Sequence, residues 1–276
     1  LAACNAVGGR RLLETMTEYG LETLSDSGEH IIETSRRAMQ KEIAALPDGI
    51  YKNSMVVDGF DRPITIAARI TISGDVLEID FEGTSAVSAY GINVPLTYTQ
   101  AYTSFGVRCV VGASIPNNSG SLATISVHAP VGSILNAPRP CAVAIRHVVG
   151  QMLPDVVLGC LDKAIPGRVP AEGSSSLWNP MLSAGHGLAE DADYGKATPF
   201  SVTIFHSGGT GARPSNDGLS ATAFPSGVRN TPVEITETLA PLIFKRKEYR
   251  PDSGGAGQFR GGLGQIIEIT HAGNDP

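Results

Sequence analysis

Charge, aromatic residues and long apolar runs are scarce in this sequence of 276 residues, of which 17% are charged and 6% aromatic. No uninterrupted apolar run approaches the roughly 18 residues that a membrane-spanning helix requires, so we expect no membrane partner. The four cysteines form no C-x-x-C pair, which argues against a zinc centre and fits a reducing cytoplasm. Cys141 and Cys160 have apolar neighbours and are predicted to be small core residues.

Motifs for nucleotides and nucleic acids are also missing. The formal net charge is −6, and the longest basic cluster, at 245–247, is too short to follow a phosphate backbone. We therefore predict no nucleic-acid partner and interpret this cluster as a solvated strand edge. No Gly-Lys-Ser/Thr ends a glycine-rich loop, and no G-x-S-x-G occurs. ATP binding by this chain alone and serine-hydrolase chemistry are not expected.

Glycine and proline, by contrast, are abundant, with 32 and 18 residues. Many turns usually join many short strands, so we expect strand residues to outnumber helical ones. The predicted class is α+β, a mostly antiparallel β-sheet with two N-terminal helices and one long buried central helix. The length suits one large domain or two modest ones, with possible sub-regions 1–135 and 136–276.

Hydrophobic periodicity predicts the individual elements. Apolar residues at helical spacing predict helices at 5–24, 29–46 and 142–164, the last kinked or divided at Pro154. Strict alternation predicts an antiparallel hairpin of residues 64–72 and 76–81. Residues 97–111 are compatible with either strand or helix. Shorter strands are predicted at 125–129, 200–205, 242–244 and 266–269, and 165–200 is predicted to be rich in loops.

Three glycine-rich segments, at 206–218, 252–257 and 260–264, are the main candidates for a functional site. Glycine permits positive φ and close backbone approach, and successive N–H groups can cradle an anion. Tight turns between strands are the alternative interpretation. We predict that polar residues in and between these segments converge, as substrate-binding or structural loops. The candidates are Gly208, Gly209, Arg213, Asp217, Asn230, Glu234, Asp252, Ser253 and Arg260.

Two carboxylates are the candidate catalytic groups, Glu234 and Asp252. Glu234 and Glu237 are three residues apart and would share a face of a helical turn. Paired carboxylates can transfer protons or bind a metal, whereas the structural alternative pairs one of them with Arg213 or Arg260. The scattered histidines, which are His128, His147 and His206, are interpreted as hydrogen-bonded core residues.

The order of several short motifs resembles one known family. They are D-F-x-G-T-S at 80–85, I-P-x-N-x-G at 115–120, G-G-x-G-A-R at 208–213, N-T-P-x-E at 230–234, D-S-G-G at 252–255 and R-G-G-x-G at 260–264. Each motif alone is weak, but their common order spans nearly the whole chain. The chain thus resembles the middle and C-terminal part of a hydantoinase B/oxoprolinase subunit.

This resemblance implies a hetero-oligomer with a hydantoinase A-type ATPase subunit that phosphorylates the oxygen of a small cyclic amide. Ring opening of a hydantoin, 5-oxoproline or lactam would follow, with ATP and Mg²⁺ on the partner. An assembly module for that partner, a subunit of a related ketone carboxylase and a stand-alone anion-binding domain are the alternatives. At 146–151 the chain departs from the polar Glu-Thr-Ser stretch of many members, which leaves the substrate open.

The family's metal motifs, Asn-Asp-Pro and His-x-Asp, usually precede the first of these helices, and neither occurs there. We therefore expect no cofactor in this chain, a divalent metal held upstream, and no activity of the chain alone. The first residue is Leu rather than Met, and both natural termini are expected to lie outside this sequence.

Overall fold

A computed structural model describes residues 1–174, 177–184 and 200–272. The architecture is mixed, with helices and sheets. The helices in the described part are α1 (Ala2–Glu18), α2 (Ser25–Ala44), α3 (Leu96–Arg108), α4 (Ser119–Leu122), α5 (His147–Gly150), α6 (Leu153–Ala164) and α7 (Val233–Leu239). The strands are β1 (Gly49–Val57), β2 (Ile64–Ser73), β3 (Val76–Asp80), β4 (Ile125–His128), β5 (Leu177–Trp178), β6 (Met181–Ala184), β7 (Phe200–Thr203), β8 (His206–Ser207), β9 (Leu242–Tyr249) and β10 (Gln265–His271).

Helical residues outnumber strand residues in the described part of the chain, so the expected excess of strand is wrong. The glycine-rich segments 252–257 and 260–264 lie in one long loop between the paired strands β9 and β10, and not in short turns. Antiparallel pairing prevails, but β3 and β4 are parallel.

The predicted hairpin forms the centre of the main sheet, whose strand order is β1-β2-β3-β4. Alternate residues of β2 are buried, and Ile66 and Ile70 are fully so. The sequence pattern did not reveal β1, although it pairs with β2 from Gly49↔Ile72 to Val57↔Ile64. Its residues are half-buried and exposed in alternation, which is typical of an edge strand with polar residues.

Residues 96–108 form helix α3 rather than a strand. Thr99, Thr103 and Val107 are buried on one face of this helix, at a spacing of four residues. A Cβ on Gly106 would lie 2.9 Å from the Cα atom of Pro154 in α6. This close crossing of α3 and α6 favours the helix over the strand propensity of its Tyr, Thr and Val residues.

The single long helix expected at 142–164 is wrong, but its division at Pro154 is confirmed. Helix α5 ends at Gly150, and α6 begins at Leu153 with Pro154 in its first turn. Proline has no backbone N–H to donate to the preceding turn, so it is tolerated at this position. Cys160 of α6 is buried as predicted, whereas Cys141 is only half-buried.

Two hydrophobic clusters hold the described chain together. The buried residues of the larger cluster lie between Met39 and Ile165 in the sequence. The smaller cluster consists of Ile204, Ala240 and Leu242. The suggested boundary at 135/136 stays a prediction. Among the described residues, no helix is long and apolar enough to cross a membrane.

Helix α1 contributes nothing to either cluster. None of its residues is buried, and Leu12, Leu13 and the adjacent Tyr19 are exposed. The apolar face predicted for this helix therefore buries none of its residues within the described chain.

Candidate functional site

A two-stranded ribbon connects the helical half of the molecule to the glycine-rich half. Residues 171–174 and 177–178 run antiparallel to residues 206–212, with Ala171 N–H donating to Ala212 O at 2.8 Å and Ser174 N–H to Gly209 O at 3.0 Å. The pairing continues as Leu177↔Ser207 in β5 and β8. The ribbon brings the first glycine-rich segment against the chain that follows α6.

A cleft of about 620 Å³ opens beside this ribbon. Its walls come from residues 171–174, 208–212 and 250–265. Gly208, Gly209 and Ser253 of the predicted set line it. Residues from all three glycine-rich segments thus line this cleft.

Close backbone packing explains the glycines of this cleft. A Cβ on Gly211 would lie 1.8 Å from Ala171 O, and one on Gly209 would lie 2.0 Å from Gly262 O. No glycine of the three segments has a positive φ, so of the two uses of glycine considered, close backbone approach is the one found here. The left-handed residue there is Asp252, with φ 53°.

The backbone N–H groups of these segments are largely used within the protein. Each of the following donates to a protein oxygen between 2.8 and 2.9 Å: Thr210 to Leu219 O, Gly218 to Arg260 O, Gly261 to Gly255 O, Gly262 to Thr210 O and Gly264 to Ser253 Oγ. An N–H that already has an acceptor is not available to an anion. The segments therefore act first as a framework, and an anion cradle built from these N–H groups is not supported.

Four of the predicted charged residues meet at the outer edge of this framework. Arg213 donates through Nε and Nη2 to the carbonyl oxygen of Asp217, at 3.0 and 2.9 Å. The Asp217 carboxylate accepts from the N–H of Arg260 at 2.8 Å, and Arg260 lies 3.9 Å from the Asp252 carboxylate. Both side chains of that ion pair are mostly exposed, so the pair adds little stability.

Asn230 lies on the other side of the framework. Its side-chain N–H donates to Ala221 O at 3.0 Å, and its Oδ1 accepts from Gln265 Nε2 at 3.1 Å. Gln265 also donates to Ser207 O at 2.8 Å and lines the cleft. Asn230 therefore positions a residue of the cleft wall without lining the cleft itself.

Glu234 and Glu237 share the short helix α7, as their spacing predicted. Neither pairs with Arg213 or Arg260 in the described structure, so that structural alternative is wrong. Glu234 is exposed and its charge acts on Lys247, whereas Glu237 accepts from the N–H of Phe244 at 2.7 Å. Glu234 is not among the residues that line the cleft, and its catalytic role stays a prediction.

A polar stripe on the buried helices escaped the sequence analysis. His147, Gln151 and Asp155 follow one another at intervals of four residues along α5 and α6, and Gln151 and Asp155 are buried. The stripe faces the first strand of the ribbon, because His147 Nε2 lies 3.1 Å from Asn179 Nδ2 and the backbone N–H of Gly173 lowers the pKa of the Asp155 carboxyl. The sequence did contain a signal for this stripe, which is the spacing of these three polar residues within a largely apolar segment.

Asp155 is the most unusual member of this stripe. It is 3% exposed, and its Oδ2 has no hydrogen-bond partner. Burial, and after it the nearby charge of Glu172, raise the pKa of its carboxyl to about 7, and the backbone N–H of Gly173 opposes both. A carboxyl group in this state exchanges a proton near neutral pH.

His206 lies at the far end of the ribbon, where it pairs across from Trp178 with the two rings 6.4 Å apart. It is 2% exposed, so its predicted place in the core is confirmed, but neither ring nitrogen has a partner, so the predicted hydrogen bond is wrong. Burial, and then the charge of Lys247, lower its pKa to about 4. The ring is therefore neutral at physiological pH. His128 is exposed, so the prediction of a core histidine is wrong for that residue.

The described residues do not fit a metal centre. Within residues 1–174, 177–184 and 200–272, no three His, Cys, Asp or Glu side chains are placed to hold a metal ion together. The chemistry that these residues offer is hydrogen bonding, shape and proton exchange.

Comparisons with known proteins relate this geometry to one family. The family model for hydantoinase B/oxoprolinase matches residues 1–275. A putative B-type subunit of a D-/L-hydantoinase from Pseudomonas sp. (strain NS671) is 28% identical over 97% of this chain and 46% of its own length. The chain thus spans about half of that curated relative.

Solved structures show the same fold. The ATP-dependent caprolactamase from Pseudomonas jessenii matches with a TM-score of 0.80 and 25% identity, over 96% of this chain and 46% of the other. An acetone carboxylase matches with a TM-score of 0.79 and 22% identity, over 93% of this chain and 36% of the other. Because the family model covers almost every residue, the chain belongs to the hydantoinase B/oxoprolinase family.

Proposed function

We propose that this chain is part of the B-type subunit of an ATP-dependent enzyme that opens a cyclic amide together with a hydantoinase A-type ATPase subunit. The observation that carries the proposal is the similarity to ATP-dependent caprolactamase over 96% of the chain at a TM-score of 0.80. A hydantoin, 5-oxoproline or a lactam is the proposed substrate. ATP and Mg²⁺ are assigned to the partner, and a divalent metal to a part of the subunit outside this chain.

The proposed role of the chain is to give the site a fixed shape. The cleft beside the ribbon has walls of closely packed backbone, with carbonyl oxygens where a Cβ would otherwise lie. Such walls have few rotatable side chains and keep their shape when a substrate binds. Because the described residues do not fit a metal, we derive no reaction step through one.

The proposal is tested with the full-length subunit and its ATPase partner. Hydantoin, 5-oxoproline and caprolactam are each incubated with ATP, and ring opening and ADP are measured together. We expect one of these amides to open with ATP consumption, and no opening when either subunit is omitted. No opening of any of them, combined with ATP-dependent fixation of bicarbonate onto acetone, would replace the hydrolase with the carboxylase.

The chain alone is expected to bind no ATP, since it lacks a phosphate-binding loop. Titration calorimetry of the purified chain with MgATP measures this directly. Tight binding would contradict the assignment of ATP to the partner.

A second candidate function, an assembly module for the ATPase subunit, is favoured by helix α1. This helix of 17 residues buries none of them and exposes Leu12 and Leu13. If α1 docks the partner, Leu13→Glu should abolish copurification of the two subunits, while Glu14→Gln on the same helix should not. A catalytic defect with intact copurification would instead place the function of the chain in the cleft.

A further inference from the structure

Strand β4 is an edge of the main sheet, because it pairs with β3 on one side and the order of the described strands ends there. Thr124 O accepts from the N–H of Leu77 at 3.1 Å, and His128 O accepts from the N–H of Phe81 at 3.0 Å. Backbone groups along a strand point to alternate sides, so every second residue from 124 to 128 bonds to β3. The two residues between them direct their N–H and C=O groups away from the sheet.

These two residues are Ile125 and Val127, and their outward backbone groups have no partner in the described part of the chain. They are only 9% and 8% exposed, so little of either residue is in contact with water. An unpaired backbone group that is shielded from water is costly, and nearly all such groups in proteins are paired. The outer edge of β4 therefore lacks hydrogen-bonding partners that the complete protein should supply.

A groove of about 390 Å³ is lined by Ile125 and Val127. Its other walls include Leu122 of α4 and residues of α3, among them Ala101 and Phe105. Because β4 is the last strand of the sheet, the groove lies at its open edge, and we call it the edge groove. Ala101 and Phe105 are apolar but exposed, so the groove offers apolar contacts beside the unpaired backbone.

Arg108 gives the edge groove a positive charge. It is the only charged residue among the described residues that line the groove. Its Nη groups donate to the carbonyl oxygens of Val111, Gly112 and Ile115, which carry no charge. No ion pair in the described part of the chain involves Arg108. Charge complementarity therefore favours an occupant with a carboxylate.

We propose that the edge groove binds an extended strand of the same subunit, from the part outside this chain, with an acidic side chain directed at Arg108. Such a strand presents N–H and C=O groups at the two-residue spacing of Ile125 and Val127, so it adds a fifth strand to the sheet. The length of a curated B-type subunit provides for such a segment, since this chain spans about half of it. The inference rests on the chain being part of that subunit, and it holds for a hydrolase and for a carboxylase.

A strand of the same polypeptide is favoured over one from a separate protein. Because the shielded groups of β4 are costly to leave unpaired, the occupant should be present whenever the subunit is folded. A tethered segment achieves this at any protein concentration, since its effective concentration is set by the linker. A strand from the ATPase subunit would leave the edge unpaired in every free B-type subunit.

Hydrogen exchange at single-residue resolution tests the pairing in three samples, which are this chain alone, the full-length subunit alone, and the full-length subunit with its ATPase partner. The amides of Ser126 and His128 bond to β3 in all three and serve as the internal reference. Relative to them, the amides of Ile125 and Val127 should exchange at least about tenfold more slowly in the full-length subunit than in this chain. Protection that appears only with the ATPase subunit, or in no sample, would overturn the proposal.

The variant Ala101→Trp places a large side chain in the edge groove. Ala101 is exposed, so the substitution does not disturb the core. In the full-length subunit it should return the exchange of Ile125 and Val127 to the rates of this chain alone. Ala6→Trp, the same change at an exposed alanine of α1 that does not line the groove, should leave the protection intact. Full protection in Ala101→Trp would mean that no strand occupies the groove.

A peptide probe tests the acidic side chain and remains decisive if Ala101→Trp does not fold. The probe is acetyl-Thr-Val-Glu-Val-Thr-amide, and the matched peptide has Lys in place of Glu. We expect the Glu peptide to bind this chain saturably, at least about threefold tighter than the Lys peptide. It should not bind the full-length subunit, whose groove is filled. No binding to this chain, equal binding of the two peptides, or equal binding to chain and subunit would refute the proposal, and none of these readouts depends on ATP or an amide substrate.

Discussion

The substitution Gly211→Ala, which adds one methyl group, should destabilise the ribbon and the cleft beside it. The new Cβ would lie 1.8 Å from Ala171 O, whereas ordinary contacts of this kind are roughly 3.5 Å apart. The two strands of the ribbon must therefore separate by more than an ångström. The separation breaks the bonds from Ala171 N–H to Ala212 O and from Ser174 N–H to Gly209 O, now 2.8 and 3.0 Å long.

The expected cost follows from these two losses. Two backbone hydrogen bonds at roughly 0.5–1.5 kcal/mol each, together with overpacking strain of about 1–3 kcal/mol, give a destabilisation of about 2–6 kcal/mol. Gly211 has no positive φ, so backbone strain of that kind adds nothing. The whole effect is assigned to close packing.

Gly255→Ala is the matched control. Gly255 belongs to the same cleft, but a Cβ there has nothing within 4 Å, and its substitution should change stability by less than about 1 kcal/mol. Urea denaturation, followed by circular dichroism and by the single tryptophan, Trp178, compares the two variants. A loss below about 1 kcal/mol in Gly211→Ala, or equal losses in both, would refute the packing argument.

Three further predictions concern charged groups. Because Glu234 is exposed, Glu234→Ala and Glu234→Gln should each cost less than about 1 kcal/mol in urea melts. A loss of about 3 kcal/mol would instead mean a buried partner. Burial and the charge of Glu172 raise the pKa of Asp155 to about 7, so the folded chain binds this proton more tightly than the unfolded chain and is destabilised as pH rises from about 4 to 7. Relative to wild type, Asp155→Asn should gain on the order of 2–4 kcal/mol across that range, and a constant difference would contradict this. Burial lowers the pKa of His206 to about 4, so its ring should quench Trp178 fluorescence only as pH falls towards 4, and His206→Gln should remove that quenching. A transition near pH 6.5 would show that the histidine is exposed.

Local sequence patterns predicted those elements in which buried residues recur at a regular spacing. The hairpin of β2 and β3 follows from strict alternation, because one face of each strand packs on the core. Helix α3 was ambiguous since its Tyr, Thr and Val residues favour strands. Only the contact of Gly106 with Pro154, 48 residues away, decides for a helix. Edge strand β1 gives a weak pattern because one of its faces is exposed and the other only half-buried.

The candidate site was predictable in part. The glycine-rich segments were identified as neighbours from their residues, and they do meet around one cleft. The reason for the glycines was not predictable, since close approach of Gly211 to Ala171 depends on two distant segments being paired. The burial of Asp155 has the same origin, because part of its environment comes from residues 169–173. Catalytic roles for Glu234 and Asp252 stay predictions.

The unequal sizes of the two hydrophobic clusters have a consequence for synthesis on the ribosome. The buried side chains of the main cluster all lie between Met39 and Ile165, and Val169 and Phe224 pack against it later in the chain, whereas the smaller cluster has three buried side chains in the described part. Residues 39–165 therefore bring the buried part of the main core together before the later segments are made, and domains form as their cores become available. The later segments would then pack onto this earlier part of the chain through the ribbon.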